Sequence, residues 1–248
     1  MNTKVVPGQL VASRDATEVA REAATRMARA LRSAIARSGH ATIALSGGDT
    51  PRAAYRLLAA EADIDWTKVN VFWVDERAVP PDDDRSNYRW GKATLVDAAG
   101  IPPERVHRMV AEAPDRDASA RDYEKAIRAQ VELDGDGIPA FDVLVMGIGD
   151  DAHTASLFPG YKIIDEQVRL VVGVDAHGGL EARLTLTPPA IEHARQIFVI
   201  VVGAGKRPAL ERIWSAQGDI HATPGRIFRG CLGSVTWLID KAAGGIAD

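Results

Sequence analysis

Phe141-Asp-Val-Leu-Val-Met-Gly-Ile-Gly-Asp-Asp-Ala-His153-Thr-Ala-Ser-Leu-Phe-Pro-Gly160 reads as a buried strand running into a glycine turn. Residues 141–146 have the length and apolar content of such a strand. The turn predicts that Asp151 and His153 are delivered to the start of a short helix. In α/β proteins, ligands gather outside the carboxyl ends of the strands. A histidine set there beside a carboxylate suits general-base chemistry near neutral pH.

Working outward, four more apolar runs have strand character: 41–45, 69–74, 169–174 and 197–202. Helical spacing lies between them. Val19, Ala23, Met27, Leu31 and Ile35 recur every fourth residue among Arg and Glu, giving one apolar stripe. Helices are also predicted over 51–60, 87–98, 118–133 and 206–216. Alternating β and α elements with near-continuous apolar strands imply an α/β fold, a mostly parallel sheet with helices on both faces. Arg183-Leu-Thr-Leu-Thr187 differs, because its alternation gives one polar and one apolar face, as in a strand lining a cleft. Loops are expected at 80–85 and 135–139, neither with the look of an interdomain linker, so residues 1–248 read as a single domain.

A chain of 248 residues is long enough for a full core, and 46% hydrophobic with 26% charged residues is ordinary for a soluble globular protein. A formal net charge of -4 argues against a nucleic-acid surface as main partner. It leaves a phosphorylated substrate open, since a few local cations and helix N-termini suffice for one. Cys231 is the only cysteine, which excludes an intramolecular disulfide and a multi-Cys metal cluster. The first twenty residues lack the apolar core of a signal peptide, and the run 197–202 is too short to cross a bilayer. A cytoplasmic protein without a membrane partner is expected.

Several turns carry candidate chemistry. In Leu45-Ser46-Gly47-Gly48-Asp49-Thr50-Pro51, Thr50 suits an N-cap and Pro51 the first helical position. Two glycines before a helix expose backbone N–H groups that can cradle an anion, although a plain strand-to-helix turn fits equally. Val74-Asp75-Glu76-Arg77 ends the next strand and reads either as a solvated edge or as a phosphate clamp. In the second case Arg77 offers its planar fork, and Asp75 orients a sugar hydroxyl or the arginine. Gly147 to Ala152 fits the dinucleotide fingerprint G-x-G-x-x-A, but two aspartates at its mouth would repel a pyrophosphate. No H-x-x-x-H or H-E-x-x-H partner makes His153 a metal ligand, and neither Ser46 nor Ser156 lies in G-x-S-x-G. Lys206 follows Gly203-Ala-Gly205 at a helix start, either as a phosphate contact or as a surface lysine, and Arg183 is a weaker member of the same cluster.

In this order the segments resemble the 6-phosphogluconolactonase family over nearly the whole chain. The matching residues are Leu45 to Pro51, then Asp75-Glu-Arg77 with Val79-Pro80 and Ser86-Asn87 behind it, then Gly147-x-Gly149-x-Asp151-x-His153-Thr-Ala-Ser-Leu-Phe-Pro159. Arg183 to Thr187, Gly203-x-Gly-Lys206 and Val235-Thr-Trp-Leu-Ile-Asp240 complete the set. The resemblance implies a Rossmann-like fold shared with glucosamine-6-phosphate deaminases, which tend to carry Phe-Asn-Glu-Pro where this chain has Ser156 to Pro159. It implies hydrolysis of 6-phospho-D-glucono-1,5-lactone to 6-phospho-D-gluconate, in the oxidative pentose phosphate pathway. No cofactor, metal or obligate protein partner is implied. Under it His153 is the base and Asp151 its orienting partner, while backbone N–H groups hold the oxyanion. Ser46, Gly47, Gly48, Thr50, Asp75, Arg77, Arg183 and Lys206 are then the substrate- and phosphate-binding set. Activity should fall with pH through the ordinary histidine range, about 6.5. One position departs from the pattern: Ala152 stands where the family usually has glycine, and a positive φ there would cost roughly 1 kcal/mol. Two other readings remain, a deaminase-isomerase with Asp75 as proton shuttle and a non-catalytic phosphosugar sensor.

Overall fold

The computed structural model describes residues 4–176 and 179–246. The striped segment forms α1 (Ala16–Ser38), which Asp15 caps by accepting from the Glu18 N–H, while Gly39, at φ 81°, ends it. Val19, Ala23, Met27 and Leu31 are fully buried, and only Ile35 at the end of the stripe is partly open.

The strands are β1 (Gln9–Ser13), β2 (Ala41–Leu45), β3 (Val69–Trp73), β4 (Asp75–Arg77), β5 (Val143–Met146), β6 (Val171–Val174), β7 (Arg183–Leu186), β8 (Gln196–Val201) and β9 (Ser234–Asp240). Six of them form a sheet in the order β1-β9-β8-β5-β2-β3, with every pairing parallel. Side chains alternate between two cores. Ile43, Leu45, Val143, Val145, Phe198 and Ile200 pack with Met27, Leu31 and Leu58 on one face. Ala44, Leu144, Met146, Val199 and Val201 pack with Trp214, Phe228 and Trp237 on the other. Burial on both faces is why these strands carry no polar side in the sequence.

The chain leaving β2 passes through α2 (Asp49–Ala59) to β3 at one edge, whereas the chain leaving β5 eventually returns as β8 on the opposite side. The loops after β2 and β5 therefore diverge at a topological switch point, where such folds open a crevice. A second sheet, β4-β7-β6, is antiparallel, pairing Asp75 with Thr185 and Arg77 with Arg183.

The structure corrects five expectations. Asp75–Arg77 does not end β3; Val74 breaks the run and β4 enters the small sheet. The segment 169–174 shortens to β6 and lies in that sheet, not among the parallel strands. Of the polar face of the Arg183 strand only Arg183 lines a cavity, since Thr185 and Thr187 are as buried as the leucines. No helix follows His153; residues 154–157 close a tight bridge, and a 3-10 turn begins only at Lys162. Thr50 is not an N-cap, because α2 starts two residues earlier than expected, behind Gly48, and has no side-chain cap. No helix among the described residues is long and apolar enough to cross a membrane.

Candidate active site

The loop leaving β5 is tied to itself. Gly149 N–H donates to the His153 carbonyl and Ala152 N–H to the Gly149 carbonyl, each at 2.9 Å. Thr154 Oγ1 donates to the Gly147 carbonyl at 2.9 Å. Asp151 Oδ1 accepts from the His153 backbone N–H at 3.0 Å and lies 2.6 Å from ring Nδ1. This contact assigns the proton of a neutral ring to Nδ1 and leaves the Nε2 lone pair as the basic one. Burial pushes the Asp151 carboxyl up, but the His153 N–H and the ring outweigh it and hold the group below its usual range. A Cβ on Gly149 would lie 2.1 Å from His153 Nδ1, so only glycine leaves room for the ring. Ala152 does adopt a positive φ, 72°, and is fully buried. Its carbonyl accepts from Gly225 N–H at 2.9 Å, so packing holds the strained residue in place.

Facing this loop is the turn after β2. Tyr55, on α2, grips Ser46 twice: its hydroxyl accepts from the Ser46 N–H and donates to the Ser46 carbonyl, both at 3.0 Å. Gly47 lies against Asn87, whose Oδ1 would be 1.9 Å from any Cβ there. Asn87 Nδ2 in turn donates to Asp75 Oδ1 at 2.9 Å, and Ser156 Oγ donates to Asp75 Oδ2 at 2.6 Å. Arg183 Nη1 is 3.7 Å from the same Oδ2. Glu76 points the other way, taking hydrogen bonds from Arg77 N–H, Asn87 N–H, Tyr88 N–H and Ser86 Oγ. Burial nevertheless raises its pKa.

Arg77 and Arg183 sit directly opposite each other in the β4–β7 ladder. Like charges so placed repel. Burial, aided by Arg77 and opposed by Asp75, lowers the Arg183 pKa. Such a pair is stabilised by an anion in front of it. Lys206, beyond β8, reaches the same cavity and is ion-paired with Asp150 at 2.6 Å.

Between these walls is a cavity of about 280 Å³. Ser46, Gly47, Gly48 and His153 line it, as do Asp75, Arg77, Arg183 and Lys206. Asp151 stands behind His153, and Thr50 is not among the lining residues. Asn87 lines the cavity too, though the sequence marked it only as part of a motif. Ser156, unsuited as a nucleophile, proves to be an anchor for Asp75.

Residues 14–237 match the family described as glucosamine-6-phosphate isomerases/6-phosphogluconolactonase. A 6-phosphogluconolactonase from Synechocystis is 38% identical over 197 residues, covering 79% of this chain and 80% of that one. The chain belongs to the glucosamine-6-phosphate isomerase/6-phosphogluconolactonase family. The solved 6-phosphogluconolactonase of Trypanosoma brucei superposes on it with a TM-score of 0.85 at 26% identity, covering 96% of this chain and 98% of that one. A monomeric glucosamine-6-phosphate deaminase, at 20% identity and TM-score 0.80 over 96% of this chain and all of its own, shares the fold. This bears out the expected Rossmann-like architecture common to both branches of the family.

Among the described residues, one group of this family member has metal-ligand spacing: Asp134, Asp136 and His193, with ligand atoms within 4.8 Å of one another. None of the three lines the His153 cavity. Asp134 already accepts from Asp136 N–H and Ile138 N–H and contacts the His193 ring, which accounts for the cluster as a turn.

Proposed function

We propose that the chain hydrolyses 6-phospho-D-glucono-1,5-lactone to 6-phospho-D-gluconate, with His153 as general base and no cofactor. The observation that carries this reading is the Asp151–His153 contact of 2.6 Å at a cavity that an opposed arginine pair also lines. Family membership and the names of the relatives supply the substrate class. His153 Nε2 takes a proton from water as the water oxygen attacks the lactone carbonyl. Asp151 stabilises the imidazolium that forms. The ring then returns the proton to the ring oxygen as the carbonyl carbon–oxygen bond breaks. Arg77, Arg183 and Lys206 grip the distant phosphate and convert its binding into orientation of the carbonyl. Ser46, Gly47 and Gly48 present the turn against which the sugar lies. The reading treats the chain as one domain, since loops that follow strands of the parallel sheet and residues of the small sheet border one cavity.

Asp75 as the proton shuttle of a deaminase-isomerase gains no support, because both its oxygens are already engaged by Asn87 and Ser156. The test is the hydrolysis rate of freshly generated lactone over the enzyme-free blank. A large excess, reduced at least a hundredfold in His153→Ala, is expected. No excess from folded protein, or undiminished activity in that variant, sinks the proposal. Ammonia release from glucosamine 6-phosphate would transfer the assignment to the deaminase branch.

A further inference from the structure

Lys206 is not presented bare to the cavity. Its Nζ is 2.6 Å from Asp150 Oδ1. The Asp150 backbone is fixed independently, because Arg212 Nη2 donates to its carbonyl at 2.8 Å. Asp150 also belongs to the loop whose hydrogen bonds and glycine pocket set the His153 ring. The carboxylate is 84% exposed and supports no core packing, while Lys206 lines the cavity.

We infer that Asp150 is an internal counter-anion that occupies Lys206 until a substrate phosphate displaces it, and so sets the affinity and selectivity for phosphorylated ligands. The inference rests on the phosphate-anchoring role given to Lys206 above. A ligand without a phosphate has nothing to offer the ammonium and leaves the ion pair closed. A dianionic phosphate outcompetes a single exposed carboxylate, because exposed pairs of this kind are weak. After displacement the carboxylate still stands near the phosphate and opposes it. Removing its charge should therefore tighten binding without touching the chemical step. Asp150 would act through Lys206 and is a positioning residue rather than a catalytic one.

The test compares the wild type with Asp150→Asn and Asp150→Ala, each also in a Lys206→Ala background. Two readouts are used: KM and kcat for the phospholactone, and titration with inorganic phosphate followed by calorimetry. The expected result is a KM about two- to fivefold lower in both Asp150 variants, with kcat unchanged within about 1.5-fold and phosphate binding tightened in parallel. Both gains should vanish in the Lys206→Ala background. An unchanged KM and unchanged phosphate affinity overturn the inference, as does a gain that survives the loss of Lys206, which would mark a diffuse charge effect. If the wild type hydrolyses no lactone, the proposed function fails, and the phosphate titration still decides the role of Asp150.

Discussion

Ala152 shows two opposed residue-scale effects that nearly cancel. Its φ of 72° costs an alanine roughly 1 kcal/mol, which glycine would recover. Its methyl is fully buried in the core beside β5, and removing it costs about 0.8 kcal/mol. Ala152→Gly should therefore change the unfolding free energy by less than about 1 kcal/mol, as read from denaturant melts. The ring position is set by Asp151 and by the room above Gly149, so kcat/KM should move by less than about twofold. A tenfold gain in activity would mean that the alanine holds His153 away from its working position. The sequence revealed this residue as a departure and its φ as the deciding quantity. Only the structure showed that neighbouring hydrogen bonds hold the turn regardless.

At the scale of elements, legibility followed the range of the interactions. Strand β2 was read to the residue, because continuous apolar character and the flanking glycines are local signals. Strand β1 was missed, since as an edge strand it is largely exposed and its apolar run, Leu10 to Ala12, is short. Strand β4 was read as charged edge or clamp because its ladder partner, β7, lies far downstream in the chain, and because Ser86 and Asn87 fold back onto Asp75 and Glu76. Glu76 makes this contact count. Its two oxygens each accept two hydrogen bonds, and an amide could supply only one such oxygen. Burial raises its pKa, an effect that taken alone favours removing the charge. The lost acceptors decide otherwise. Glu76→Gln should destabilise the fold by about 1–3 kcal/mol in chemical denaturation and loosen the Asn87 helix start that backs Gly47. Stability equal to or above the wild type would show that the desolvation cost dominates.

At the scale of the whole molecule, the parallel sheet brings the turns after β2, β5 and β8 to one end, and the small sheet adds Asp75, Arg77 and Arg183 from the side. Seven of the eight binding residues expected from sequence line the cavity for this reason, and the eighth, Thr50, lies within α2 and does not. This convergence makes a pH prediction that belongs to the assembled site. A His153 base, as proposed, works only with a neutral ring, so activity should be full at the alkaline end and fall as protons bind on acidification. Asp151 remains ionised across that limb, because burial, which raises its pKa, is outweighed by the contacts with His153. Logarithmic kcat should then fall with unit slope on the acid side, one proton being taken up. The substrate phosphate titrates near pH 6, so the limb alone does not identify the group. Asp151→Asn separates them. Without the carboxylate the imidazolium loses its partner, and the limb should move to lower pH while kcat drops by at least about tenfold. A limb that stays in place would belong to the phosphate, and His153 would lose its role as base.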